Sequence, residues 1–343
     1  LHTLFPYTTL FRSWLLNIRA RDVKCNPLTI SYIVLSAKKY YLFIDDKKIN
    51  SEVRFELEKA NVEIKPYESI GEFLGKIKEG AILLDAARTS TWIYSSINIK
   101  ILEAMDITTR FKAIKNDIQI KNVRKAMLRD GVAMVKFITW MKKTIKSRNI
   151  TEIEASDKIE EIRSAGENFY DLSFASISAY KANASMPHYT ATIKNQATIK
   201  PKGLYLLDSG AQYLDGTTDI TRTLAVGPLT KEEKTDYTLV LRGMINLTLQ
   251  RFLYGTTGSN LDIIARIPLW NAGMDYKHGT GHGVGFFLNV HEGPHRISVL
   301  PNNIVLKKGM IVSNEPGVYK AGKHGIRIDR KSTRLNSSHN SNL

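Results

Sequence analysis

Between Gly203 and Asp329 the chain sets out four carboxylates and one imidazole in apolar, strand-like surroundings. They are Asp208 and Asp219 in GLYLLDSGAQYLDGTTDITRTLAVG, His282 in HGTGHGVGFFLNVHEGP, Glu315 in MIVSNEPGVY and Asp329 at the end of HGIRID. A fold that gathers such groups must compensate them, because an isolated buried carboxylate is too costly to keep. Hard oxygen donors in that ratio suit a pair of divalent ions, which bridging carboxylates hold about 3.5–4 Å apart. The chain is therefore constrained to a fold that brings distant strands to one concave face.

Both ends are set aside from this reading. Thr3–Ser13 and Arg330–His339 resemble in-frame translations of sequencing-library adapters, a reading that extends to Asp329, so residues 1–13 and 329–343 are expected to be artefacts. The remainder is long enough for two cores. No apolar run approaches the ~18 residues of a membrane span. Cys25 is the sole cysteine, which excludes an intrachain disulfide framework and favours a reducing, cytoplasmic setting. The formal charge of +16 invites a nucleic-acid reading. The lysines are scattered in pairs such as Lys38-Lys39 and Lys142-Lys143, without interleaved aromatics, so a solvated surface explains them better.

Residues 14–110 alternate short apolar runs with short helical stretches. SYIVLS, YYLFID, VEIKPY and AILLDA read as strands, and Ser51–Ala60 and Glu68–Lys78 as helices, the second closed by Gly80. This is a small α/β domain with no ligand-like cluster, expected to serve structure or substrate gating. From Phe111 onward the texture changes. Val123, Met127, Met134, Ile138, Met141 and Ile145 mark one apolar helix face. Thr151 and Glu154 can form a capping box opening a second helix that ends near Gly166, and a third spans roughly Lys231–Phe252. Each ligand candidate falls in a strand-like stretch: LYLLDSG, DITRTLAV, FFLNVHE, MIVSNEP or GIRI. The fold class is therefore α+β, with the site on a curved sheet.

Asp208 and Asp219 flank the turn-forming Asp215-Gly216 pair, so a hairpin would set them roughly opposite each other. HGTGH is not a helical zinc-protease motif, since no Glu follows His278 and three glycines within Gly279–Gly283 oppose helix. An open loop approaching metal ions fits better. His291 follows in NVHEGP, and Glu315 precedes Pro316-Gly317, which should end its strand and leave the carboxylate at a turn.

DSGAQYLDGTTDITRT, HGTGHGVGFFLNVHEGP, the EPG turn and HGIRI together resemble the Xaa-Pro aminopeptidases, specifically their long, multidomain cytosolic branch. The similarity runs from Trp14 (WLLNIRARDVKCNP) to Ile328. It implies a pita-bread catalytic fold for residues 111–328 and a creatinase-N-like second domain for residues 14–110, the family's first domain being absent. It makes Asp208, Asp219, His282 and Glu315 metal ligands. The fifth ligand is a Glu in the family, and Asp329 stands there one methylene shorter, which implies weak activity for the chain as written. His188 in MPHYT, His278 and His291 fall on substrate-pocket and transition-state histidines, and Arg327 on an arginine that orients the last ligand. Pro268, inside the helical LDIIARIPLW, departs from the pattern and should kink that helix.

The resemblance further implies two divalent ions, Mn2+ in preference to Zn2+ or Co2+, a peptide substrate with proline in second position, and a homodimer with neither membrane nor nucleic acid as partner. In that chemistry Glu315 carries a proton to the leaving proline nitrogen, His291 steadies the developing oxyanion, His278 counts with them as catalytic, and His188, His278 and Arg327 bind the substrate. A prolidase, a methionine aminopeptidase and a catalytically inactive peptide- or protein-binding module of the same fold are the competing readings.

Overall fold

The computed structural model describes residues 3–5 and 13–329. The adapter-like residues 330–339 lie outside the described residues. The chain divides into two compact units, Leu1–Lys112 and Ala113–Leu343.

The first unit is built on a six-stranded sheet. Its strands, in chain order, are β1 (Thr3–Phe5), β2 (Ser31–Leu35), β3 (Tyr40–Ile44), β4 (Val62–Pro66), β5 (Ala81–Leu84) and β6 (Lys100–Glu103). They lie side by side in the order β4-β3-β2-β1-β5-β6. Three of the pairings are parallel, so they need crossovers, which the Ser51–Lys59, Ile70–Gly75 and Thr91–Ser95 helices help supply. The sheet buries Val34, Phe43, Ile82 and Leu84 against Ile70, Leu74 and Ile93 from two of those helices. The adapter-like opening contributes to this sheet: Thr3–Phe5 fills the gap between β2 and β5. Setting residues 1–13 aside thus overlooked a strand. The second helix is also shorter than read, Ile70–Gly75, because Tyr67–Ser69 forms a 3-10 turn before it.

The second unit carries four principal helices. Asp117–Thr144 opens with a reciprocal capping box between Asn116 and Gln119 and buries Val123, Ala126, Ala133, Met134, Phe137 and Met141 along one face. That face packs on Tyr205, Leu207 and Ile220 of a three-stranded antiparallel sheet. The sheet consists of β7 (Ile177–Tyr180), β8 (Leu204–Ser209) and β9 (Ile220–Ala225), with β8 in the centre. The Glu152–Ser164 helix is capped by Thr151, whose side chain accepts from the Glu154 amide. Its reciprocal half differs from the expected box, since the Glu154 carboxylate pairs with Arg148 instead. Lys231–Leu249 and Gly258–Trp270 pack together, and the latter runs through Pro268 to Trp270.

The strand assignments near the site need correcting. β8 and β9 are strands as read, but FFLNVHE is a looped segment closed by a Gly285 amide to Asn289 carbonyl bond, with Phe287 at φ 48. MIVSNEP makes only isolated bridges, and Gly317 begins a strand rather than ending one. That strand, β10 (Gly317–Lys320), forms a hairpin with β11 (His324–Arg327).

Candidate metal-binding site

Asp208, Asp219, His188, His278, His282, His291, Glu315 and Arg327 line one cavity of about 570 Å³. They arrive from separate elements. Asp208 is the penultimate residue of β8, where every side chain is buried. Its register partner is Thr221, and Asp219 lies just before β9 begins, so the two carboxylates are offset rather than opposed as the hairpin reading had them. His282 ends a two-residue strand, Gly281–His282. Its neighbours must be glycine: a Cβ on Gly281 would sit 1.9 Å from the Ser313 carbonyl oxygen, and one on Gly283 2.0 Å from that of Glu292. The backbone there presses against the segments bearing Glu315 and His291. The Glu315 amide donates to the Thr280 carbonyl at 2.8 Å, which fixes it beside the same loop.

His282 Nδ1 bonds the Gly283 carbonyl oxygen at 2.9 Å, so Nε2 faces the carboxylates, 3.1 Å from Glu315 Oε1 and 3.4 Å from Asp219 Oδ2. Burial works against a charge on this ring, but the bonds to Asp219 and Glu315 outweigh it and raise its pKa well above the usual histidine value. Burial pushes Glu315 up, but its bond with His282 wins and holds it below the ordinary carboxylate value. Asp208 goes the other way. Desolvation raises its pKa over the opposing pull of Arg327, with Asp219 and Glu315 adding repulsion.

Arg327 Nη2 donates to Asp208 Oδ2 at 2.7 Å, and Nη1 to the Tyr319 hydroxyl at 2.7 Å. That hydroxyl is 2.8 Å from His278 Nε2, while His278 Nδ1 lies 2.8 Å from the Gly279 carbonyl. The consistent proton arrangement has Nδ1–H donating to Gly279 and Nε2 accepting from Tyr319. Both ring nitrogens are then engaged, and burial lowers the His278 pKa, keeping the ring neutral. Burial pushes Tyr319 up to about 12. His291 stacks edge-on against His282 with ring centroids 4.1 Å apart, and burial followed by repulsion from His282 lowers its pKa.

Whether these residues suit a metal pair can be judged from the donors. Asp208 Oδ1 is buried and accepts no hydrogen bond, and Asp208, Asp219 and Glu315 repel one another, with Arg327 as a counter-charge. Oxygen donors with one imidazole nitrogen match manganese- or zinc-type ions in chemistry. No preformed cage exists: among the described residues no three His, Cys, Asp or Glu side chains are grouped to hold an ion. The His282 hydrogen bonds span the space between Asp219 and Glu315.

Asp329 is buried beside β9, its amide 3.4 Å from the Thr221 carbonyl and its carbonyl accepting from Arg222 at 3.0 Å. It is not among the residues lining the cavity.

Sequence reasoning passed over Tyr319 and a buried support beneath the His278 loop. Arg266 Nε donates to Asp262 Oδ2 at 2.5 Å, its Nη2 to the His278 carbonyl at 3.0 Å, and Thr280 Oγ1 donates to Asp262 Oδ1 at 2.6 Å. The i,i+4 spacing of Asp262 and Arg266 in a helical stretch was the available signal.

An α+β unit that brings buried carboxylates and partly exposed histidines into one cavity defines the class: a pita-bread fold. The chain belongs to metallopeptidase family M24, whose model matches residues 121–331, and the Creatinase/Prolidase N-terminal domain model matches residues 12–119. It is 42% identical over 325 residues to "Xaa-Pro aminopeptidase 1" of Dictyostelium discoideum, covering 92% of this chain and 52% of that protein. The crystal structure of X-prolyl aminopeptidase from Caenorhabditis elegans, described as a cytosolic enzyme with a di-nuclear active site, aligns with TM-score 0.93 at 36% identity, covering 96% of this chain and 55% of that one. An Xaa-Pro dipeptidase from Bacillus anthracis aligns with TM-score 0.78 at 24% identity, a likeness of fold alone. The chain spans about half the length of the curated relatives it matches.

Proposed function

We propose that the protein containing this chain is a metal-dependent aminopeptidase that releases the N-terminal residue from peptides with proline in second position. The observation that carries this is the convergence of Asp208, Asp219, His282 and Glu315 with three further histidines in one peptide-sized cavity. The likeness to named Xaa-Pro aminopeptidases supports the specificity.

Asp208, Asp219, His282 and Glu315 would hold two divalent ions, with manganese the proposed metal and Asp329 the proposed fifth ligand. When bound, the ions supply a water nucleophile at neutral pH and draw charge from the scissile carbonyl. Glu315 takes the proton of the attacking water and passes it to the proline nitrogen. His291, beside His282, donates to the oxygen that gains charge. His278 has both ring nitrogens engaged, so its role is to shape the pocket with His188 rather than to shuttle protons. Arg327 anchors Asp208. A cytosolic location and a homodimeric state belong to the same proposal. Among the described residues no helix is long and apolar enough to cross a membrane.

The test uses the full-length protein with manganese and three substrates: an Xaa-Pro tripeptide, its Xaa-Ala counterpart and the Xaa-Pro dipeptide. The tripeptide should be cleaved fastest. Equal rates on Xaa-Ala would overturn the specificity, and preference for the dipeptide would make the protein a prolidase.

A further inference from the structure

The segment between β7 and the short Thr198–Ile199 strand carries Pro187, His188 and Thr190 into the cavity. It has little regular structure, a 3-10 turn at Lys181–Ser185 followed by turns. What holds it is a carboxylate outside the cavity. Glu152, the first residue of the Glu152–Ser164 helix, is fully buried. Its Oε1 accepts the Tyr180 amide at 2.5 Å, and its Oε2 accepts the Tyr189 hydroxyl at 2.8 Å and the Ala197 amide at 2.7 Å. Asn183 Nδ2 lies between the two oxygens at 3.2 and 3.1 Å. The Glu152 amide in turn donates to the Ala197 carbonyl at 3.2 Å.

One carboxylate therefore ties down both ends of the loop and the residue that follows His188. Among the described residues no lysine or arginine forms an ion pair with it; four donors and the N-terminal end of its own helix take that place. Glutamine could not substitute, because an amide has one acceptor oxygen and its NH2 would meet the Tyr180 amide or the Tyr189–Ala197 pair head on. The loop also touches the site's arginine, the Pro187 carbonyl accepting from Arg327 Nη2 at 3.4 Å.

We propose that Glu152 is a positioning residue for substrate binding: it sets the height of Pro187 and His188 against the cavity and so tunes the grip on the peptide, without touching the reacting atoms. This rests on the aminopeptidase reading of the cavity.

The experiment compares Glu152→Gln, His188→Ala and the double variant in the full-length protein. Glu152→Gln should raise KM for an Xaa-Pro tripeptide about 10-fold, with kcat within about threefold and bound metal unchanged. In the His188→Ala background the same change should alter KM less than about twofold, since its effect acts through His188. Tyr189→Phe, which removes one donor, should move KM the same way by a smaller factor and serves if Glu152→Gln fails to fold. Independently of turnover, amide hydrogen exchange in residues 186–191 should speed up in Glu152→Gln while β8 is unchanged. Additive KM effects, a fall in kcat at constant KM, or exchange that is unaltered or uniformly faster overturns the proposal. An inactive wild-type protein would instead remove the aminopeptidase reading and leave the exchange result to decide the role of Glu152.

Discussion

Arg327 grips Asp208 with one arm of its guanidinium and Tyr319 with the other, both at 2.7 Å. Asp208 faces Asp219 and Glu315 across the cavity, and the arginine offsets part of their repulsion. Because Tyr319 also meets His278, the same side chain ties the carboxylate cluster to the pocket wall.

The first prediction follows from that fork. Arg327→Lys keeps the charge but cannot hold both partners, because an ammonium lacks the planar pair of donor arms. Metal affinity or activity should fall about 10- to 100-fold, the range seen when support of a ligand is lost. Metal titration together with kcat/KM measures it, and wild-type values would show that charge alone suffices.

A second prediction separates holding metal from using it. Alanine at Asp208, Asp219, His282 or Glu315 should remove bound metal and activity together. His291→Ala should keep the metal and lower kcat about 100-fold or more, since that ring acts on developing charge. Loss of metal from His291→Ala would reassign it as a ligand.

The third concerns stability and pH. Lys115 and Glu292 form a buried pair at 3.4 Å, each side chain 1% exposed. Burial lowers the Lys115 pKa below 10.5, with Glu292 opposing. The unfolded chain therefore holds that proton more tightly, and stability rises as pH climbs through the folded value towards 10.5. Urea unfolding of the wild type should gain on a Lys115→Met/Glu292→Gln reference in that window; a constant gap would contradict the shift. Glu292→Gln alone strands a buried charge and should cost about 3–5 kcal/mol.

The fourth concerns Asp329. Its backbone is fixed by Thr221 and Arg222, so a carboxylate one methylene shorter than glutamate has little freedom to shift towards the other ligands. Misplacement by about 1 Å can cost ~100-fold in rate. Calorimetric titration of this chain with manganese should show fewer than two tight sites, and Asp329→Glu should strengthen the weaker one. Two tight sites without the change would show that aspartate suffices.

Much of the cavity lining was legible because its chemistry is written in local motifs: glycines around His282, Asp208 near the end of an apolar strand, Glu315 ahead of Pro316-Gly317, Arg327 two residues before Asp329. What escaped depends on contacts the chain makes only when folded. Glu152 reads as an ordinary acid in a first helical turn, and attention falls on Glu154 two residues later, yet the partners of Glu152 lie 28 to 45 residues away. Tyr319 reads as a strand residue until its hydroxyl is seen between His278 and Arg327. FFLNVHE has strand-like composition, but Gly285 and Phe287 turn it back on itself, which alternation alone does not reveal. In the first unit, Thr3–Phe5 of the discounted opening pairs with β2 and β5, a long-range contact that local pattern does not show.

The central claim is that the Asp208, Asp219, His282 and Glu315 cluster works through bound metal. Its most direct test is to strip the full-length protein with a chelator, then follow release of the N-terminal residue from an Xaa-Pro tripeptide as manganese is returned. Activity should vanish on stripping and recover in step with bound metal, reaching its maximum near two ions per chain. Full activity in the stripped protein, or metal uptake that restores none, would contradict the account.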